Sequence, residues 1–489
     1  MGTTRRPPPH GTTTTAHGDA GAAVRPEAVQ GPGGGPGPGP AAERTGAAAA
    51  RLAEAGVEGV ALTWVDNAGL TRVKAVPAQR LQEVIRTGVG MSPCFDVYLV
   101  DDSMTDSPHI GGPDGDLRLV PDLDRLTVLA AQPGWAWAPV DRHEQDGRPY
   151  AACQRGFARR MARRALDEHG ITLKAGFETE WVVVRGPAPG PAAEPAYPAT
   201  GPAYGMARLV ETSDYLRDVL SALTAQGVEV LQIHPEYAPG QFEVSTAPSD
   251  PVGAADLAVL VRETVRAVSL RHGLTALFGP VVEPDGVGNG GHLHLSLWRS
   301  GRNLSSGGPG PCGMTREAEA FWAGVLHRLP ELLALGAPSP ASLLRLRPSR
   351  WAGAHQCWGL ENREAALRFV AGGERMPQAA NAEIKCVDAS ANPYLLVGGV
   401  IAAGLAGLAD GDGARLPDPV SGDPARTGTH MRLPGSAQEV LRRFEESRVL
   451  RAALGEELFG AVRAVRAGEI ALFEGASDHE IAAATRGRY

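Results

Sequence analysis

Apolar and polar positions recur with two distinct periods along this chain. The period-two runs come first. Residues 59–65 and 71–76 read as strands, and Asp66-Asn67-Ala68-Gly69 between them is a turn signal, which predicts a hairpin. Residues 78–87 read as a short amphipathic helix, and 117–122 as a further strand and turn. From residue 151 a helical period appears. Phe157, Met161 and Ala165 share one face of a helix predicted over 151–170, with Gly170 as its stop. Helices are also predicted over 213–226, 251–272, 318–335, from the cap at 389–394 to about Leu408, and over 436–446 and 451–468. Strands are predicted over 228–233 and 292–298, and the Pro/Ala/Gly stretch 187–202 reads as a surface loop.

One strand carries an anomaly. The run Val182-Val183-Val184 extends back through Glu178-Thr179-Glu180-Trp181. Residues two apart on a strand point the same way, so Glu178 and Glu180 project side by side among apolar neighbours. Such a pair repels itself and loses hydration, which a divalent metal between them would relieve. A solvated acidic edge is the plain alternative. A second pair, Glu236 and Glu243, flanks the turn signal Pro239-Gly240, where two strands can bring them towards one spot. His292-Leu293-His294 follows a glycine-rich stretch, 286–291, and places two imidazoles on one strand face. Glu383 and Lys385 form an acid–base pair at the same spacing, and Arg345, Arg363 and Arg368 lie among apolar residues.

Composition narrows the class. Residues 1–46 are rich in Thr, Pro, Gly and Ala, have little to bury and are expected to be a disordered tail. A chain of 489 residues has room for two to four domains, and 43% hydrophobic with 21% charged residues describes a soluble globular protein. The net charge of −8 argues against a nucleic-acid groove or an anionic membrane surface. No apolar run is long enough to span a bilayer, and no apolar segment follows Arg5 and Arg6 as a signal peptide requires. Five scattered cysteines without a CxxC pair fit reduced thiols in a cytoplasm. The only lysines are Lys74, Lys174 and Lys385, so a lysine at a chemically interesting position runs against the composition.

Five carboxylates and two histidines suit Mg²⁺ or Mn²⁺ better than zinc. Arginines and a glycine-rich loop beside them suggest phosphate, and no protein nucleophile stands out. That combination suits phosphoryl transfer, where the protein positions groups and neutralises charge.

The ordered series Glu178-Thr179-Glu180, Glu236…Gly240-Gln241-Phe242-Glu243, Gly288…His292-Leu293-His294-Leu295-Ser296-Leu297, Arg345-Leu346, Asn362-Arg363, Arg368, Glu383-Ile384-Lys385 and Ser390-Ala391-Asn392-Pro393-Tyr394 resembles the bacterial, type I glutamine synthetases and their relatives. The likeness runs from about residue 50 to the C-terminus. It implies an α+β fold: a small N-terminal β-grasp domain over residues 47–147, then a catalytic domain of curved antiparallel sheet and helices over 148–489. It implies one metal on Glu180, Glu236 and Glu243, and another on Glu178, His292 and Glu383. His294 and Ser296 would touch ATP, and Arg363 and Arg368 would hold phosphates. Arg345 and Lys385 would hold the carboxylates of glutamate, with Gly288 or Asn289 at its amino-acid end. Arg345 and Arg363 would also act on the reacting groups. Partners would be glutamate, ATP, and an amine or ammonium. The assembly would be a homo-oligomeric ring, a hexamer or dodecamer, with active sites between subunits.

Departures from the family pattern point to the acceptor. Trp351 falls where a flap glutamate that helps take the ammonium proton is expected. The family's Asp-Gly-Ser-Ser ammonium motif is missing from the small domain. Lys385 replaces an arginine and gives up its bidentate fork, and Asn381 stands where a nucleotide-phosphate arginine is expected. The expected activity is therefore ATP-dependent formation of a γ-glutamyl amide from glutamate and an organic amine, through γ-glutamyl phosphate. Ordinary glutamine synthetase is the first alternative. A non-catalytic ring-forming relative is the second, and ligation to an acid other than glutamate the third.

Overall fold

A computed structural model of the chain describes residues 40–489 apart from 113, 191, 192, 411, 412 and 429. Most of the expected tail lies outside the described residues. A helix, Pro40–Glu54, begins inside the stretch assigned to it, because the alanine-rich segment after Pro40 favours helix.

The predicted hairpin is present. Gly59–Val65 pairs antiparallel with Thr71–Pro77, and Val65 opposes Thr71 across the turn. The hairpin belongs to a six-stranded sheet in which Gly59–Val65 also runs parallel to Trp135–His143. Leu117–Pro121 joins the far side of Trp135–His143, and Val89–Met91 forms the edge. The helix Leu81–Thr87 buries Leu81 and Val84 in this sheet's apolar cluster with Leu52, Val60, Leu62 and Leu119. One parallel pair inside a mixed sheet, with a helix packed on it, agrees with the small grasp-type unit.

The second sheet has nine strands. Its long member is Thr172–Arg185, which pairs antiparallel with Leu293–Arg299 on one side and Gln241–Thr246 on the other. Asn381–Ile384 extends the first side, and Val230–Pro235 the second. The sheet is antiparallel except at its edge, where His355–Leu360 and Ala365–Val370 run parallel. The α+β class and the mainly antiparallel catalytic sheet are therefore as expected.

Helices Gln154–His169, Pro251–Arg271, Arg316–Gly336 and Pro393–Ala409 supply the core behind the sheet. The last is apolar almost all round and buried over nearly its whole length, as a helix without a polar face must be. Arg448–Leu472 continues across Gly455, whose φ of 78° breaks the helical path. No helix among the described residues is long and apolar enough to cross a membrane.

The segment before Pro393–Ala409 has a second role. Asn392 caps that helix by accepting from the N–H groups of Tyr394 and Leu395, at 3.0 and 3.1 Å. Its amide also donates to the carbonyls of Val65 and Asp66, at 2.9 and 3.1 Å. The hairpin turn thus sits directly on this segment. Gly69, at φ 87°, lies so close that a Cβ there would fall 1.8 Å from the Ser390 carbonyl oxygen.

Candidate active site

Strand register brings the acids together. Glu180 lies opposite Glu243, and Glu243 opposite His234, across three adjacent strands. His294 lies opposite Glu383, and Glu383 opposite Arg368, across three others. Residues directly opposite in a ladder share a face at close range, so two rows of chemistry-bearing side chains converge on Glu178 and Glu180. Arg208 fixes the hairpin between Glu236 and Glu243. It is fully buried and donates to the carbonyls of Glu236, of Ala238 at 2.7 Å and of Gln241 at 3.0 Å.

The first cluster is centred on Glu178. His292 Nδ1 lies 2.9 Å from Glu178 Oε2 and 3.2 Å from Glu383 Oε1. His294 Nε2 lies 3.1 Å from Glu178 Oε1 but is buried without an aligned hydrogen bond. Burial opposes ionisation of Glu178, yet the hydrogen bond from His292 and the charge of His294 outweigh it and hold the carboxyl well below its usual range. At Glu383 burial is likewise overcome, by Lys385 and the histidines, and the carboxyl is held at about 2. Burial and Lys385 push His292 down to about 4. Burial opposes charge on His294 too, but Glu178 and Glu383 raise it to about 9.

The second cluster holds Glu236, Glu243 and His234, with Glu180 beside it. His234 Nδ1 is buried without a hydrogen bond, 3.5 Å from Glu236 Oε1, and Nε2 is 3.6 Å from Glu243 Oε1. Glu180 Oε2 accepts from the Gly290 N–H at 2.8 Å and from Gln241 Nε2 at 3.1 Å. Burial pushes Glu180 up to about 7, and Glu236 adds repulsion against the pull of Arg345. Burial also raises Glu236 and Glu243. Gly290 is required here, because a Cβ would meet His292 Nε2 at 2.5 Å and Glu180 Oε1 at 2.6 Å.

These donors fit divalent ions. One ligand atom from each of Glu178, His294 and Glu383 lies within 4.8 Å of the others, and the same holds for His234, Glu236 and Glu243. Carboxylates that raise each other's pKa, beside buried imidazole nitrogens without partners, are groups that a cation would satisfy.

Two cavities meet at this point. The first, about 750 Å³, is lined by both acid clusters and by Gly288, Arg345, Trp351, Arg363, Arg368 and Lys385. The second, about 730 Å³, is lined by Glu178, His294, Ser296, Trp298, Arg375 and Asn381 among others. Glu178 and Gln232 line both. Ser296 Oγ accepts from Trp298 Nε1 at 2.8 Å, and His294 Nδ1 is 2.9 Å from Asn381 Oδ1.

Most residues singled out from the sequence therefore come together, with three differences of detail. Asn289 does not face the cavity. It is buried, donating to the carbonyls of Leu277 and Gly279 and accepting from Gln241. Its amide is a structural bolt under the glycine-rich loop, and Gly288 alone of that pair lines the cavity. Arg345 is buried and donates to the carbonyls of Lys385 and Val387 at 3.2 Å, with Nη2 3.0 Å from His292 Nε2. His294, read as a nucleotide contact, stands in the Glu178 cluster as well as in the second cavity.

Four side chains went unread. His234 is one. His234 and Glu236 have the same i, i+2 spacing as Glu178 and Glu180, so period two could have found it. Tyr204 donates to Glu236 Oε1. Tyr204, Tyr237 and Trp351 form an edge-to-face row along the first cavity, with centroids 5.5 Å apart at each step. Tyr204 and Arg208 come from one segment and Tyr237 stands beside Glu236, and no spacing signals them.

Residues 151–483 match the family "Glutamine synthetase, catalytic domain". The chain is 56% identical, over 455 residues, to the gamma-glutamylpolyamine synthetase GlnA3 of Streptomyces coelicolor, covering 91% of this chain and 97% of that one. It is 26% identical to type-1 glutamine synthetase 1 of Dictyostelium discoideum, over 86% and 87% of the two chains. A solved structure described as a novel glutamine synthase homolog superposes with a TM-score of 0.79 and 33% identity, covering 88% of this chain and 99% of its own. With two acid–imidazole clusters on such a sheet and these likenesses over most of its length, the chain belongs to the glutamine synthetase family.

Proposed function

We propose that this enzyme is an ATP-dependent carboxylate–amine ligase that joins the side-chain carboxylate of glutamate to an organic amine as a γ-glutamyl amide. The observation that carries the reading is that two cavities share Glu178 as a common wall. One cavity suits a nucleotide and the other an amino acid and its acceptor, so a phosphoryl group can pass between them beside the acid clusters. Similarity to a protein named for polyamine ligation favours an amine acceptor over ammonium.

Divalent ions, Mg²⁺ or Mn²⁺, would supply charge neutralisation at the phosphates. Glu178, His292, His294 and Glu383 would hold one, and Glu180, Glu236, Glu243 and His234 the other. Arg363 and Arg368 present cations to the transferring phosphoryl group and disperse its charge. Lys385, Gly288 and Arg345 hold glutamate with its γ-carboxylate towards that group. His294 and Ser296 face the nucleotide. The γ-carboxylate oxygen attacks phosphorus and ADP leaves. The amine nitrogen then attacks the acyl carbon of γ-glutamyl phosphate and phosphate leaves. The small sheet over residues 47–147 and the larger unit over 148–489 would be the two domains, set in a hexameric or dodecameric ring with shared sites. The compartment would be the cytoplasm.

The test is ADP release and γ-glutamyl product by mass spectrometry, with ATP, glutamate and Mg²⁺ or Mn²⁺, comparing ammonium with a panel of mono-, di- and polyamines. A preference for amines supports the reading. A preference for ammonium at equal concentration removes it.

A further inference from the structure

An alkyl amine is an ammonium ion at neutral pH and cannot attack until it loses a proton. The acids of the two clusters are assigned to cations, so the acceptor must be found elsewhere around the first cavity. Glu361 is 2.6 Å from the Arg368 guanidinium. Asp423 accepts from Ser349 Oγ at 2.7 Å and from the Ala425 N–H at 2.8 Å.

Glu364 is different. It is 7% exposed and lies under the turn whose residues Ser349, Trp351 and Ala352 line the cavity, next in sequence to the cavity residue Arg363. Its Oε1 accepts from the Trp351 N–H at 2.8 Å. Its Oε2 is buried with no hydrogen-bond partner. A carboxylate oxygen in that state costs free energy unless a donor reaches it. Burial accordingly raises the carboxyl above its ordinary range. The turn above it is held in an uncommon conformation, with φ of 56° at Ser349 and 55° at Trp351. Trp351 opens the aromatic row through Tyr237 to Tyr204, and all three are well exposed to the cavity mouth. Aromatic faces attract an alkylammonium chain by cation–π contact without binding any one carbon count.

We propose that Glu364 is the proton acceptor for the amine substrate, and that Trp351 and Tyr237 guide the cation onto its free oxygen. The inference rests on the amide-forming reading above. The ammonium N–H bond breaks and the proton passes to Glu364 Oε2. The freed lone pair attacks the acyl carbon of γ-glutamyl phosphate, the carbon–nitrogen bond forms, and the carbon–oxygen bond to phosphate breaks. The second nitrogen proton leaves with phosphate as hydrogen phosphate, and Glu364 returns its proton to solvent.

Glu364→Gln tests this on the full chain. Glutamine still accepts from the Trp351 N–H, so the turn keeps its anchor, but it cannot take a proton. Two acceptors are compared with ATP, glutamate and Mn²⁺: spermidine, which is cationic, and hydroxylamine, which is neutral at assay pH and needs no deprotonation before attack. Amide formation with spermidine should fall about 100-fold, while γ-glutamyl hydroxamate formation changes by less than about threefold. Parallel loss of both reactions would assign Glu364 to the fold alone and overturn the proposal, as would retention of both. A wild-type chain that makes neither product would overturn the ligase reading itself, and this proposal with it.

Discussion

Lys385 Nζ lies 3.0 Å from Oε1 of Glu383, two residues back along the chain, and both side chains are buried. Arg368 approaches the other oxygen of Glu383 at 3.0 Å. Against burial, Lys385 and the two histidines keep the carboxylate ionised to about pH 2, so it can meet a cation without first losing a proton. Lys385→Ala should raise the pH at which Glu383 ionises and move the acid limb of the kcat/KM profile upwards. It should also raise the KM for glutamate about tenfold. A pH-rate series on the variant checks both.

Glu180 stands at the junction of the two clusters. Glu180→Ala should lower turnover at least about 100-fold and weaken Mn²⁺ binding measured by calorimetry. Unaltered turnover would remove the metal assignment.

Arg208 touches neither cavity, yet its guanidinium holds three carbonyls around the Glu236–Glu243 hairpin. Arg208→Ala leaves those carbonyls without a donor and should cost about 3 kcal/mol, read by denaturant unfolding. Metal affinity should fall with it, because Glu236 and Glu243 lose their fixed spacing.

The buried acids whose folded values lie above their ordinary ones include Asp66 at about 6, and Glu180 and Glu469 at about 7. A raised folded value means that the folded state binds the proton more tightly. The resulting stability is complete below the unfolded values near 4 and is lost as pH rises through 6 to 7. Metal-free protein should therefore melt at a lower temperature at about pH 8 than at about pH 5. Added Mn²⁺ should recover part of the loss, since it satisfies Glu180 but neither Asp66 nor Glu469. Thermal melts across pH, with and without chelator, check the sign.

What was legible in the sequence follows the range of each interaction. Glu178 with Glu180, and Glu383 with Lys385, were readable because period two is a property of one strand. The helices around Phe157 and Asn392 were readable for the same reason. The rows that join Glu243 to His234 and Glu383 to His294 depend on register between strands far apart in sequence, which no local spacing encodes. Asn289 illustrates the converse. A polar residue in a glycine-rich loop looks like a ligand contact, but the carbonyls of Leu277 and Gly279 were placed within its reach by the fold. Glu364 left no signal, since an acid before a strand is ordinary until its oxygen is found without a partner.

The hold of Asn392 on the first hairpin bears on how the chain is made. The carbonyls of Val65 and Asp66 leave the ribosome early, but their donor follows 327 and 326 residues later. The small sheet can form its ladder and close its turn during synthesis, since the Gly69 N–H donates to the Asp66 carbonyl and the Asp66 N–H to that of Leu70, but the Asn392 contacts wait until the Ser390–Tyr394 segment has emerged. The anchoring of the hairpin therefore waits on most of the polypeptide, and a fragment that ends before residue 389 would lack the Asn392 donor to both carbonyls. The first turn thus takes its tertiary anchor from a segment made long after it.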